Sequence, residues 1–379
     1  MIGAAGALRP AGKCLQVTGS SDAKDKGKRR GLLRNLREIV ARLQSFDWDG
    51  LESRIADAEN AFRGFDAVQR TLVDDLQRNV PRLPLISPIE LAKANRFVLE
   101  ARCRASTNPI YLGDHTALCR MLGLYKIYLD TTDTGFASHL LLDGFWEMWL
   151  TIFFTRTVRP GMTIIDVGAN FGYYTLLFGA LVGPQGRVFA VEPNPTVLPK
   201  LRRSVQLNGL AARTTIIEAA AGAAEGEASL FAPHGEPKNS AIVAAPDAIP
   251  PEWGHCYAVR QMALDGLMAT VPRVDLIKID AEGAEQDIFT GMEAILRRDK
   301  PLLLMEFNPL RYADASAFMD RLGGIYRRMR YINFDGDAVD VPAAKVLDDH
   351  SGEDWLLLFD EPALTPAPRV DALSDAAPR

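Results

Sequence analysis

Residues 276–285 read LIKIDAEGAE and hold Lys278, Asp280, Glu282 and Glu285. An apolar run ending in acids predicts a strand that stops at Asp280 and a helix that follows. Two roles are open to such a patch. The carboxylates are gathered for proton transfer, or they are acids at a helix start, each favourable by about 0.3–1 kcal/mol with the dipole. Side chains alternate along a strand, so Lys278 and Asp280 share a face. A lysine inside an apolar run is rarely buried unless paired. Its partner would be Asp280, or Glu306 at the end of the next strand, LLLMEFNP (302–309). The bland alternative is a strand-tip lysine snorkelling to solvent. Asp280 reads as functional. Glu285 and Asp287 read as dipole partners of a helix whose buried face is Ala284, Ile288, Met292 and Ile295 and which closes with Arg297 and Arg298. Glu282, at the junction, fits either role. Asp280, Glu306 and Asn308 also present hard oxygens suited to Mg²⁺, but such residues are common at loop starts and no metal site is assigned. His139 or His255 as a general base is the remaining option.

A second stretch, IIDVGANFGYYTLLFGALVG (164–183), reads as strand, tight turn and helix. Asp166 ends the strand, and Gly168 and Gly172 bracket the turn. Asn170 is one of the few residues besides glycine that tolerates positive φ. The turn brings backbone close to a ligand at the helix N-terminus. It is neither GxGxxG, the dinucleotide fingerprint, nor a P-loop with its Lys-Ser/Thr, which disfavours a nucleotide-dependent oxidoreductase. The next strand, RVFAVE, ends in Glu192, placed to accept the ribose hydroxyls of a nucleoside. The bland reading of the glycines alone is an ordinary strand–helix turn. Together with Glu192 and alternating strands they predict a nucleoside cofactor.

DVGANFGYY, VEPNP and LIKIDAEGAE, in this order, resemble the FkbM family of S-adenosylmethionine-dependent methyltransferases. The resemblance covers about residues 139–310 and extends toward 360. It implies an α/β fold of the class I methyltransferase (Rossmann-like) type, a mostly parallel sheet with helices on both faces. It implies S-adenosyl-L-methionine as cofactor and O-methylation of a sugar, glycan or secondary metabolite. Carried over by position, Asp166, Gly168, Ala169, Asn170 and Gly172 line the methionine part. Glu192 holds the ribose, with Asn194 beside it, and Ala219 and Ala220 lie near the adenine. Glu218 stands one position early for the acid many such enzymes place there. Methyl transfer from a sulfonium is an in-line displacement, so the protein must align the acceptor and manage its proton. Asp280, Lys278, Glu282 and Glu306 are the candidates for that work. Trp146 and Glu147, in FWEMW, are candidates to cap the site.

These residues need a scaffold. From Gly161 onward near-continuously apolar strands alternate with helices, which predicts a parallel sheet covered on both faces. Over fifty residues separate TTIIEA from VDLIKID, too many for a plain crossover, and short strands with a loop beside the site are expected there. One helix is expected over 139–154. The expected organisation is a basic, disordered leader (1–30), a helical and heptad segment (31–84), a cap region (85–155), a methyltransferase domain (156–360) and a disordered Ala/Pro-rich tail (361–379). Leu51, Ile55, Ala58, Phe62, Phe65, Leu72 and Leu76 step by fours and threes around the polar Gln69. At fewer than four heptads the seam is short: it packs in an antiparallel hairpin or on the main domain, or it joins copies of the chain as a coiled coil. The alternative function is an interaction protein acting through these helices on an inactive fold.

The composition suits a globular enzyme: 379 residues, 47% apolar and 24% charged. A net charge of −5 gives no bulk attraction to nucleic acid. Four scattered cysteines without a CxxC pair fit a reducing compartment. No apolar run is long enough for a membrane span, and a soluble, cytoplasmic protein with a small-molecule or glycan acceptor is expected.

Overall fold

The computed structural model describes residues 85–361, together with the single helical position 56. The expected leader, the rest of the helical and heptad segment and the tail beyond 361 lie outside the described residues. Residues 85–361 fall within one unit, Arg82–Arg379.

Helices Pro88–Lys93 and Arg96–Ser106 come first. A capping box starts the former: Ser87 Oγ accepts from the Glu90 amide, and the Glu90 carboxylate accepts from the Ser87 amide at 2.8 Å. An antiparallel sheet follows, β1 (Ile110–Gly113), β2 (Thr116–Met121) and β3 (Tyr125–Asp130). The single helix expected over 139–154 is instead two, Phe136–Asp143 and Met148–Thr157. Gly144 ends the first at φ 73°, and Glu147 enters the second at φ 37°. A Cβ at position 144 would lie 2.1 Å from Thr107 Oγ1, so only glycine makes this turn. The break swings Trp146 and Glu147 out of the helical register and toward the cleft described below.

The remaining strands are β4 (Thr163–Val167), β5 (Arg187–Val191), β6 (Thr214–Ile217), β7 (Ala220–Ala221), β8 (Gly226–Pro233), β9 (Ala241–Val243), β10 (Gly254–Met262), β11 (Leu276–Ile279), β12 (Leu302–Phe307), β13 (Arg328–Ile332), β14 (Ala338–Asp340) and β15 (Trp355–Asp360). The central sheet runs β14-β13-β15-β12-β11-β4-β5-β6. Strands β6, β5, β4, β11 and β12 are parallel, and β15 lies antiparallel between β12 and β13. The chain builds outward from β4 to β6, then returns to lay β11 on the other side of β4. That reversal is the switch point at which open α/β sheets bind ligands.

Burial on both faces explains the apolar strands. Ile164 enters a core with Phe154, Phe178 and Leu201, while Ile165 enters the opposite one with Ile277, Phe289 and Phe318. The long connection after β6 forms the small sheet β7-β10-β8-β9 beside the switch point. The helix expected after LIKIDAEGAE is two short ones, Glu285–Thr290 and Glu293–Asp299. They break at Gly291, where a Cβ would meet the Gly222 carbonyl at 2.0 Å. Among the described residues no helix is long and apolar enough to cross a membrane.

Candidate active site

Strand β4 delivers its loop directly under β11. Gly168 has φ 73°, and a Cβ there would lie 1.8 Å from the Asp280 carbonyl oxygen. Asn170 takes φ 49°, and its side-chain oxygen accepts from the Phe171 amide at 2.8 Å. Gly172, at φ 100°, starts helix Tyr173–Leu181, and a Cβ there would meet Leu201 Cδ1 at 2.6 Å. The left-handed turns at 168, 170 and 172 thus have a steric reason in the two glycines and a local hydrogen bond at the asparagine.

Across the loop, the Glu192 carboxylate accepts from the amides of Asn170 at 2.8 Å and Asn194 at 2.7 Å. Burial pushes the Glu192 carboxyl up to about 7, even against these two amides, which favour the charged form. Asn194 accepts from the Thr196 amide at 3.0 Å and donates to Ser240 Oγ at 3.1 Å, tying the β5 tip to the small sheet.

Parallel pairing sets Lys278 of β11 beside Asp166 of β4. Lys278 is 2% exposed. Its Nζ lies 3.2 Å from Asp280 Oδ2 and 3.7 Å from Asp166 Oδ1, and 5.1 Å from the Tyr174 ring centroid. The lysine is therefore buried and paired rather than snorkelling, with Asp280 and Asp166 as its partners. Burial alone would lower its pKa, but the charges of Asp280, Asp166 and Glu306 outweigh that and raise it, so it stays an ammonium. Asp166 is fully buried. Its Oδ2 accepts from Thr175 Oγ1 at 2.6 Å, while Oδ1 has no hydrogen-bond partner and faces Lys278. Burial raises the Asp166 pKa.

More acids gather at the neighbouring strand tip. One oxygen each of Asp280, Glu282 and Glu306 lie within 4.8 Å of one another. Burial, then the charges of Asp280, Asp354 and Glu282, drive the Glu306 carboxyl far above its ordinary range. Burial, with Asp280 next, pushes Glu282 up to about 7. Arg311 faces the group, 3.4 Å from Glu282, 4.0 Å from Glu306 and 2.9 Å from Asp354. A guanidinium already serves this cluster. Asn308, weighed above as a metal ligand, is occupied: it donates to the Gly352 carbonyl at 2.9 Å and accepts from the Leu310 amide at 3.0 Å.

Around the switch point lies a cleft with about 1060 Å³ of space not filled by protein, its mouth included. Gly168, Ala169, Asn170, Glu192, Ala220, Lys278, Asp280, Glu282 and Glu306 all line it. Asp166, Gly172, Asn194 and Ala219 do not; they are the supports behind its wall. Glu218 pairs with Arg202 away from the cleft. Glu285 and Asp287 stand in the first turn of their helix; Glu285 is also buried, and it accepts from the Gly283 amide at 3.1 Å and Tyr312 Oη at 2.9 Å. His139 sits 3.6 Å from Asp143 and His255 meets His234 edge to face, both outside the cleft. Trp146 and Glu147 line it as expected of a cap, and Glu147 accepts from Tyr174 Oη at 2.7 Å. Trp149 instead packs on Phe334. Tyr174, the last residue of DVGANFGYY, also lines the cleft, as do Phe136 and Lys238, which carried no signal in the sequence because each arrives from an element outside the strand tips.

The strand order, the glycine turn and the carboxylate at the β5 tip define a class I methyltransferase fold. Within it, residues 166–333 match the family model described as the methyltransferase FkbM domain. Among curated proteins, the chain is similar to the protein-L-isoaspartate O-methyltransferase of Aeropyrum pernix, 34% identical over 110 residues covering 29% of this chain and 38% of that one. It is also similar to Methyltransferase 1 of Beauveria bassiana, 29% identical over 149 residues, 34% of this chain and 58% of that one. The matches thus span well short of these relatives' full lengths. Among solved structures, the FkbM methyltransferase of Methylobacillus flagellatus aligns over 56% of this chain and 53% of that one, with 16% identity and a TM-score of 0.34.

Proposed function

We propose that the chain is an S-adenosylmethionine-dependent methyltransferase that methylates a hydroxyl of a sugar, glycan or secondary metabolite. The observation that carries this reading is the Asp280 carboxylate, fixed by the buried Lys278 at the switch point and facing the same cleft as the glycine turn and Glu192.

The residues fit such a cofactor. The turn at Gly168–Gly172 offers backbone without side-chain obstruction, and Glu192 offers carboxylate oxygens to two ribose hydroxyls. Ala220 and Ala221 leave a small, apolar wall for a purine. The acids lining the cleft suit a cationic sulfonium.

When bound, the cofactor supplies an activated methyl group, whose bond to sulfur breaks as its bond to the acceptor oxygen forms. Asp280 takes the hydroxyl proton as that oxygen attacks, which makes an alcohol a competent nucleophile. Lys278 holds Asp280 in place, and Asp166 acts through Lys278 from behind. Glu306, protonated at neutral pH, donates a hydrogen bond to the acceptor.

Isothermal titration with S-adenosylhomocysteine tests the reading. Saturable binding is expected, and no measurable binding in the folded protein would sink it.

A further inference from the structure

Two lysines line the cleft, and they are used differently. Lys278 is locked between carboxylates. Lys238 makes no hydrogen bond or ion pair among the described residues, although Glu147, Glu282 and Asp280 line the same cleft. It is not spent on neutralising them. Its Nζ stands 5.9 Å from the centroid of the Trp146 ring, and its charge reaches Glu147, Glu282 and Asp133 only at long range.

The surroundings hold this lysine in position. It sits in the short turn Pro237–Asn239 between β8 and β9. On one side the turn is tied down by Ser240, which accepts from Asn194 at 3.1 Å and donates to the Pro237 carbonyl at 2.6 Å. On the other, the Gly235 carbonyl accepts from the Thr134 amide at 2.8 Å and Thr134 Oγ1 at 3.1 Å. Gly135 leaves the lysine stem its room: a Cβ there would lie 2.9 Å from Lys238 Cε. A half-buried cation, tethered on both sides and left without an anion over an aromatic ring, is arranged to meet an anion brought by a ligand.

We infer that Lys238 reads an anionic group, a carboxylate or a phosphate, on the acceptor, with Trp146 as the apolar platform beneath it. This rests on the methyltransferase reading and narrows it: the acceptor is an acidic sugar or glycan, not a neutral one. Its place over Trp146, with its charge reaching Glu147 and Glu282, puts Lys238 on the Asp280 side of the cleft, where the acceptor hydroxyl must lie.

The test is calorimetric titration of the full chain, saturated with S-adenosylhomocysteine, with glucose, glucuronate and glucose 6-phosphate. At least one anionic sugar should bind about tenfold or more tighter than glucose, the scale of a charge-assisted hydrogen bond. Which of the two does so tells carboxylate from phosphate. K238M should erase the preference and leave S-adenosylhomocysteine affinity unchanged, and K238R should restore most of it. No preference in the natural chain, or one that survives in K238M, overturns the inference. So does a K238M protein that loses affinity for S-adenosylhomocysteine but not for 5′-methylthioadenosine, since the lysine would then serve the cofactor's carboxylate. Failure of the natural chain to bind S-adenosylhomocysteine at all refutes the underlying reading instead.

Discussion

Replacing Lys278 by Met takes the cation away from two carboxylates that the fold has placed on purpose of register. Asp166 has no exposure, and one of its oxygens has no hydrogen-bond partner and only Lys278, at 3.7 Å, to face. Breaking a buried pair by removing one partner costs about 3–5 kcal/mol, because the other charge stays buried and uncompensated. Against a total stability of about 5–15 kcal/mol that is a severe loss. Asp166 already has a raised pKa from burial, and the variant should raise it further. An acid with a raised folded pKa binds more protons folded than unfolded, so its stability falls as pH rises through that window and returns on acidification. K278M should therefore regain stability as pH falls toward the unfolded Asp value of about 3.9, more steeply than the natural chain. Adding D166N removes the stranded charge, so the double variant K278M/D166N should be more stable than K278M alone. Urea unfolding across pH, followed by circular dichroism, measures all three. A K278M protein within about 1 kcal/mol of the natural chain, with no added pH slope, would refute the pairing argument, since a solvated lysine behaves that way.

Three further outcomes are expected. D280A should lower methyl transfer about 10²-fold or more, the scale of general-base catalysis, while S-adenosylhomocysteine affinity stays within a few fold; unchanged single-turnover rates with labelled cofactor would remove Asp280 from the mechanism. Glu192 is pushed from 4.5 to about 7, so its burial costs stability as pH rises through that interval. E192Q should reduce that slope in thermal melts and weaken S-adenosylhomocysteine about tenfold above neutrality, and equal affinity in both proteins would exclude a ribose role. G168A would set a Cβ 1.8 Å from the Asp280 carbonyl at φ 73°; it should cost on the order of 1–3 kcal/mol and abolish cofactor binding, and a normal melting temperature with normal titration would show that the turn has slack.

Much of the sheet was legible because its signal is local. The strands expected to end at Asp166 and at Glu192 are β4 and β5, ending one residue later at Val167 and one earlier at Val191, since a strand buried on both faces must be apolar throughout. Lys278 and Asp280 could be put on one face from alternation alone, and they meet at 3.2 Å. Helices were less legible where glycine intervened. The apolar spacing over 139–154 suits one helix, and nothing in it tells that Gly144 must turn left-handed to clear Thr107, a residue thirty-seven positions away. Gly291 breaks the later helix for the same kind of reason, the carbonyl of a distant Gly222.

The sequence by itself determined the alternation of strands and helices, the glycine turn, and the strand-tip acids Glu192, Asp280 and Glu306, because periodicity and backbone tolerance are properties of neighbouring residues. Only the tertiary structure decided which side chains share the cleft. It put Asp166 behind Lys278 instead of on the wall, made Glu285 a buried acceptor for Gly283 and Tyr312, and brought Lys238 over Trp146 from the small sheet. These placements follow from strand order and from how the long connection folds back on the switch point, and such contacts between distant segments leave no periodic trace along the chain.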